Sequence, residues 1–156
     1  MHYGQYESPL GPLLLAWDEE GLAGLWMNRD IPEQTNIIPE ELKQWLDSYF
    51  LGQPGEASFP LKPEGTPFQK QVWSILLTIP YGETRTYGDV AQEMAIVTGK
   101  EKMSAQAIGQ AVGKNPISIL IPCHRVLGSG GKLTGYAGGL DKKVWLLEYE
   151  KKPAGQ

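Results

Sequence analysis

The chain has 156 residues, of which 41% are hydrophobic and 21% charged, so it can bury a core and is neither disordered nor fibrous in composition. Its apolar runs are far too short to span a membrane, and residues 1–20 lack the basic start and apolar block of a secretion signal. The net charge of −4 divides unevenly: residues 1–62 carry ten acidic side chains against three basic ones, and residues 63–156 carry eight against eleven. Nucleic-acid affinity follows a local basic patch rather than the total, so the second part of the chain is the candidate for binding an anionic partner.

The chain contains one cysteine, Cys123, and two histidines, His2 and His124. A single cysteine cannot form an internal disulfide, and a free thiol suits a reducing compartment, so we expect a cytoplasmic protein. Three soft ligands are too few for a tetrahedral zinc site. We therefore expect no metal and no cofactor.

Three strands and a helix are predicted for the first fifty residues. Turn-forming residues separate residues 1–6, 13–17 and 22–28, and this pattern predicts an antiparallel meander. One apolar stripe at helical spacing then predicts a helix that packs on the sheet, with the members Leu42, Trp45, Leu46, Tyr49 and Phe50. Nothing in this segment indicates chemistry, so its expected role is packing support.

A stretch rich in proline and glycine, residues 52–67, predicts an extended connector, and we place a domain boundary at residue 63. The second domain opens with Thr66, Pro67 and Gln69 in the pattern of a capping box that has proline at the first helical position. A helix is therefore expected to begin here and to end near residue 80.

Three more helices are predicted in the second domain. Thr86, with Asp89 three residues later, predicts a helix to about residue 94, and residues 104–112 predict another. Two short helices in succession suggest a helix-turn-helix, although their connection is longer than the usual one. The last helix, residues 140–150, has an acidic start and a basic end, as the helix dipole prefers.

The segment 113–126 carries the chemistry and ends in Ile-Pro-Cys-His-Arg-Val. Residues 117–121 are interpreted as a short buried strand with Cys123 just beyond its end. An isolated thiol is usually an inert buried side chain, but His124 and Arg125 supply polarity and positive charge of the kind that lowers a thiol pKa. Cys123 is therefore a candidate nucleophile. Adjacent side chains of an extended chain point to opposite sides, so Cys123 and His124 need a water molecule or a local turn between them.

This motif has Asn115-Pro116 before it and Gly135-Tyr136-Ala137-Gly138-Gly139-Leu140 and residues 145–150 after it, and together they resemble the O6-alkylguanine-DNA alkyltransferases. The resemblance covers residues 66–150, while the amino-terminal third is similar only in length and general pattern. It implies an α/β protein of two domains. Residues 1–62 would form an antiparallel sheet plus a helix, ribonuclease H-like, and residues 63–156 a helical, winged-helix-like DNA-binding domain.

The implied activity is DNA repair. In the family, the cysteine irreversibly accepts the alkyl group of O6-alkylguanine or O4-alkylthymine in double-stranded DNA, once per molecule, here at Cys123 of a monomeric protein. Glu150 would orient His124, His124 would polarise a water molecule beside Cys123, Asn115 would support the turn, and Tyr87 would protonate the departing purine. The implied DNA contacts are Ser104, Ala105, Gln106, Lys114 and Arg125, and the implied contacts with the rotated-out base are Tyr87, Val126, Tyr136, Ala137 and Gly138.

The sequence departs from relatives at two of these positions. Gln106 stands where relatives carry an Arg that enters the base stack; Gln fills space and forms hydrogen bonds but supplies no charge. Ala137 stands where some relatives have Ser. Some relatives also carry a structural zinc in the amino-terminal part, and this sequence lacks the cysteines for one.

Two alternatives remain open at this point. One is a non-catalytic alkyltransferase-like protein that binds alkylated DNA as a flag, although its relatives replace the cysteine, typically by Trp. The other is a Cys-His hydrolase, which the adjacency of Cys123 and His124 disfavours.

Overall fold

The computed structural model describes residues 1–56, 59–136 and 138–151. The chain begins with strands β1 (His2–Ser8), β2 (Gly11–Asp18) and β3 (Gly21–Trp26) and helix α1 (Glu40–Phe50). It continues with α2 (Pro67–Leu76), β4 (Arg85–Thr86), α3 (Tyr87–Thr98), α4 (Ala105–Gly113), a 3-10 helix (Cys123–Arg125), β5 (Val126–Leu127), a second 3-10 turn (Ser129–Gly131) and α5 (Leu140–Lys151). None of the helices in these ranges has the length and apolarity that crossing a membrane requires.

The first three strands form the predicted antiparallel meander, with β2 between β1 and β3. Helix α1 contacts β1 through Tyr6, whose hydroxyl donates to Asp47 at 2.5 Å and whose ring stacks on Phe50. The apolar stripe predicted for α1 faces inward, since Leu42, Leu46 and Tyr49 are fully buried. The sheet and the helix thus share one core.

The open edge of β3 is covered by the second part of the chain. Leu22 exchanges backbone hydrogen bonds with the connector, to Pro60 at 2.8 Å and from Lys62 at 2.7 Å. Leu25 likewise donates to Pro116 at 2.9 Å and accepts from Ser118 at 3.1 Å. An uncovered edge strand would leave these groups unpaired. The residues that lead to the Cys motif are therefore fixed on the amino-terminal sheet.

The predicted starts of α2, α3 and α4 are confirmed by their caps. Thr66 with Gln69, and Thr86 with Asp89, form reciprocal capping boxes, and the Ser104 hydroxyl accepts from two backbone amides of α4. Helix α3 runs four residues beyond its predicted end, because the chain offers no stop before Gly99, which has φ +70°. Helices α2, α3 and α4 pack against one another.

The strand predicted for residues 117–121 is wrong. Ile117 forms a single bridge with Leu25, after which the chain turns, with Ile121 donating to Ile117 at 3.1 Å. The Asn115 side chain holds this turn: it accepts from the Ile117 amide at 2.9 Å and donates to the carbonyls of Ile117 (3.3 Å) and Ile121 (2.9 Å). Ile119 has φ +71°, which a β-branched residue rarely adopts. Side-chain hydrogen bonds thus replace the expected ladder.

Candidate active site around Cys123

The 3-10 helix at residues 123–125 places the thiol and the imidazole on one tight turn. Its first residue, Cys123, donates its amide to Ile121 at 2.7 Å, and Arg125 donates to Pro122 at 3.0 Å. Cys123 is 4% exposed and His124 is fully buried. The backbone is thus not extended here, and the two adjacent side chains are both buried on a local turn.

The carboxylate of Glu150, on the buried face of α5, is the hub of the site. Its Oε2 accepts from His124 Nε2 (2.6 Å), the Tyr49 hydroxyl (2.6 Å) and Arg125 Nη2 (3.0 Å). Its Oε1 accepts from Arg125 Nε at 2.7 Å and from the Gly82 amide at 3.3 Å. Five donors around two oxygens exceed the four lone pairs of a carboxylate, so its orientation is fixed. The contact with His124 expected from the resemblance is present.

The charges of Glu150 and His124 follow from their surroundings. Burial by itself raises the pKa of Glu150, but the hydrogen bonds and charges of His124 and Arg125 outweigh it and lower the pKa from 4.5 to about 2. Burial lowers the pKa of His124 below its ordinary value, against the pull of Glu150. Near neutral pH the carboxylate is therefore ionised and the imidazole neutral.

The hydrogen bond with Glu150 also decides the tautomer of His124. An ionised carboxylate only accepts, so the ring proton lies on Nε2 and the free lone pair on Nδ1. The Nδ1 atom is buried and has no hydrogen-bond partner among the described residues. His124 therefore offers an unoccupied proton acceptor inside the site.

The expectation of a lowered thiol pKa at Cys123 is wrong. Burial raises the pKa of this thiol, and the side chains of Asn115 and Tyr136 and the Lys143 ammonium, which favour the thiolate, offset only part of the rise. The positive charge of Arg125 is already neutralised by Glu150. The resting thiol is therefore protonated and needs a base at the moment of attack.

Lys143 is a second charged group on the buried face of α5. It is fully buried, and its Nζ donates to the Val126 carbonyl at 2.8 Å. Burial lowers the pKa of Lys143, and a negative charge on Cys123 raises it. The ammonium is 6.0 Å from the centre of the Tyr87 ring. A charge this close to the thiol and to Tyr87 favours anionic groups in the site.

The candidate residues for holding a base lie on three segments: the start of α3, strand β5 and the segment before α5. Tyr87 is half-buried at the start of α3, and its hydroxyl shares a 2.9 Å hydrogen bond with Thr134. The Tyr136 hydroxyl is buried without a partner among the residues the structure describes. Gly138 is buried, and its carbonyl accepts from Asn28 of the amino-terminal domain at 2.8 Å. Val126 is buried in β5, and Ala137 lies outside the described residues.

Four of the five candidate DNA contacts are exposed on or beside α4, namely Ser104, Ala105, Gln106 and Lys114. The fifth, Arg125, is not available to DNA in this structure. Its guanidinium is bound to Glu150 and to the Ile79 carbonyl at 2.7 Å, and the residue is only 8% exposed. Arg125 instead forms a buried ion pair with Glu150.

Sequence reasoning missed two side chains of the site, Tyr49 and Lys143. Each stands beside apolar residues on the buried face of a helix: Tyr49 follows Leu42 and Leu46, and Lys143 precedes Leu146 and Leu147. A hydroxyl or an ammonium on such a face requires a buried partner. A polar group on a buried helical face therefore predicts a buried hydrogen-bond partner, but the sequence does not identify that partner.

Comparison with known proteins agrees with the two-part architecture and the Cys motif. Residues 67–152 match the family described as "6-O-methylguanine DNA methyltransferase, DNA binding domain", and residues 1–63 match its "ribonuclease-like domain". The chain therefore belongs to the 6-O-methylguanine DNA methyltransferase family.

Among its relatives is the methylated-DNA--protein-cysteine methyltransferase of Methanosarcina acetivorans, 46% identical over 96% of this chain and 98% of that protein. The protein of the same name from Mycobacterium bovis is 44% identical over 99% and 94% of the two chains. The structure resembles that of the Mycobacterium tuberculosis OGT in complex with DNA, with a TM-score of 0.83, 43% identity and coverage of 97% of this chain and 93% of that one.

Proposed function

We propose that this protein repairs DNA by transferring the alkyl group of O6-alkylguanine, and of O4-alkylthymine, to Cys123, once per molecule. The observation that carries the proposal is the thiol of Cys123 on the same tight turn as His124, whose Nδ1 is buried and has no hydrogen-bond partner among the described residues. A thiol and a proton acceptor in one buried site are what nucleophilic attack by sulfur requires.

The proposed reaction begins with loss of the thiol proton. Cys123 gives it to Nδ1 of His124 through a bridging water molecule, and the resulting imidazolium is stabilised by the carboxylate of Glu150, 2.6 Å from Nε2. The sulfur attacks the alkyl carbon in line, an S–C bond forms, and the C–O6 bond of the guanine breaks. The departing purine takes a proton supplied through Tyr87.

The product explains why each molecule would act once. Alkyl transfer leaves a thioether on Cys123, which has no carbonyl for water to attack, whereas a cysteine hydrolase forms a thioester that water cleaves. Glu150 and His124 together can deprotonate a thiol, but they cannot break the S–C bond of the thioether. The presence of Cys123 likewise argues against a non-catalytic protein that only binds alkylated DNA.

The base must leave the duplex to reach the sulfur. Rotation of a nucleotide out of the stack costs a few kcal/mol. Cys123 is only 4% exposed, so groups around it must also move, and we propose that the Tyr87–Thr134 hydrogen bond opens as the base enters. The base would then lie against Tyr136, Val126 and the loop at Gly138.

Helix α4 is the proposed element at the groove. Its exposed first turn carries Ser104, Ala105 and Gln106, with Lys114 at its other end. The small side chains allow close approach to DNA, and Lys114 supplies charge for a phosphate. Gln106 is the proposed group that fills the gap left by the rotated base.

Replacing Gln106 with Ala is expected to slow repair of duplex DNA by roughly five- to tenfold, since the variant cannot fill the gap in the stack. Repair of the same lesion in a short single strand is expected to change less than about twofold, because no stacked partner opposes extrusion. Single-turnover rates on the two substrates provide the measurement. The control is Gln110→Ala, another exposed residue of α4. Equal slowing on duplex and single-stranded DNA would show that Gln106 does not fill the gap left by the rotated base.

Mass spectrometry tests the proposed function directly. After incubation with a duplex containing O6-methylguanine, the peptide that bears Cys123 is expected to gain the mass of one methylene group, to at most one equivalent. Binding without an adduct would indicate a damage flag. Repeated turnover of an ester or amide without an adduct would indicate a hydrolase.

The remaining proposals concern organisation. We propose that residues 1–62 and 63–156 are the two domains, and that the protein acts as a monomer in the cytoplasm, where a reducing environment keeps the thiol free. The connector bonds of Leu22 with Pro60 and Lys62 support a boundary at this point. No cofactor takes part in the proposed chemistry.

A further inference from the structure

The amino-terminal domain reaches the active site through the hydroxyl of Tyr49. This residue lies in the last turn of α1 and is fully buried. Its hydroxyl donates to Oε2 of Glu150 at 2.6 Å, across 101 residues of sequence. The same oxygen accepts from His124 Nε2 at the same distance. Tyr49 and His124 therefore share one acceptor atom.

We propose that Tyr49 is a positioning residue that sets the proton affinity of the Glu150–His124 pair from the amino-terminal domain. This inference rests on the proposed function, because it deepens the role of that same site. Packing alone would be served by a phenylalanine ring, which fills nearly the same volume and requires no partner. The hydroxyl of Tyr49 directs its hydrogen bond to the carboxylate that orients the base.

The direction of the effect follows from the hydrogen bond. Burial, followed by the negative charge of Glu150, raises the pKa of Tyr49 well above its ordinary value, so the phenol stays protonated and always donates. A donor on Oε2 takes up part of the carboxylate charge. Removing it leaves more charge to attract an imidazolium, so the pKa of His124 rises without Tyr49.

Other charged and titratable groups face the pair and act in both forms of the protein. They come from the 3-10 helix, the turn after α2, the segment before α5, and α5 itself: Arg125, Tyr81, Tyr136 and Lys143. None of them is removed by a change at Tyr49. A shift that follows the loss of one hydroxyl therefore reports on that hydroxyl.

The test is the pH dependence of single-turnover methyl transfer by Tyr49→Phe and by the unaltered protein. Below the pKa of His124 the imidazole is protonated and cannot accept the thiol proton, so the rate falls. In Tyr49→Phe the midpoint of this acidic fall is expected to move up by roughly half a unit to one unit. The rate on the alkaline side of the fall is expected to stay within about threefold.

The matched control is Tyr149→Phe. The Tyr149 hydroxyl belongs to the same aromatic cluster but donates to the backbone carbonyl of Phe50 and not to Glu150. Its loss is expected to leave the midpoint within about 0.2 units of the unaltered protein. A midpoint unchanged in Tyr49→Phe, or moved equally in Tyr149→Phe, would overturn the proposal.

A second measurement separates this proposal from the proposed function. Ring nitrogen resonances of His124, followed by NMR against pH without DNA, are expected to show the same upward shift in Tyr49→Phe, while exposed His2 serves as an internal reference. If the unaltered protein forms no methyl adduct, the alkyl-transfer function fails. The titration of the His124 ring then still shows whether the Tyr49 hydroxyl lowers the pKa of His124.

Discussion

Replacing Cys123 with Ser is expected to abolish methyl transfer, with a rate at least about a thousandfold lower. A serine hydroxyl is ionised far less readily than a thiol, and burial makes the imidazole of His124 a weaker base by lowering its pKa. The variant should still fold, with a change in the free energy of unfolding of about 1 kcal/mol, because one atom of similar shape is replaced. Adduct mass and single-turnover loss of O6-methylguanine from a duplex provide the measurements.

The control for this variant is its binding to DNA. The exposed residues of α4 are unchanged in Cys123→Ser, so affinity for a duplex that contains the lesion is expected to stay within about threefold of the unaltered protein. Loss of methylation together with retained binding separates the nucleophile from the binding surface. Repair by the serine variant, or an adduct on another residue, would contradict the role of Cys123.

Replacing Glu150 with Gln is expected to reduce both activity and stability. The guanidinium of Arg125, which is 8% exposed, loses its counter-charge, and an unpaired buried charge costs about 3 to 5 kcal/mol. His124 loses the anion that stabilises its imidazolium, so methyl transfer is expected to slow by roughly a hundredfold. Denaturant unfolding and single-turnover rates at a temperature where the variant is folded provide the measurements.

The pH dependence of stability gives an independent check on Glu150. Its pKa is about 2 in the folded protein against 4.5 ordinarily, so its contribution is present above pH 4.5 and is lost as the pH falls toward 2. The difference of about 2.5 units corresponds to about 3 kcal/mol. In Glu150→Gln this acid-dependent loss is expected to be absent. Glu148→Gln, which removes an exposed carboxylate from the same helix, should leave the loss in place.

Features that depend on neighbouring residues were predictable from the sequence. The starts of α2, α3 and α4 follow from side chains that bond amides two or three residues away, at Thr66, Thr86 and Ser104. The meander follows from alternation and turns. The Cys motif and its flanking segments indicated the family and the nucleophile without any structure.

Local patterns were misleading where distant groups decide the outcome. The apolar run at residues 117–121 predicts a strand, but the Asn115 side chain forms hydrogen bonds with its backbone and the chain turns instead. The resemblance implies that Arg125 contacts DNA, but Glu150 lies against it in the fold. Its charge, which was expected to activate the thiol, is thereby neutralised, and burial raises the thiol pKa instead.

The sequence by itself predicted the reactive atom, the sulfur of Cys123, and the starts of three helices, because a reactive side chain and a helix cap are properties of short segments. Only the tertiary structure decided the state of that atom. Tyr49, Gly82 and Arg125 come from three separate elements to one carboxylate on α5. The free energy of a proton or a charge depends on all groups within a few ångströms and on the water they exclude. Those groups become neighbours only when the chain folds.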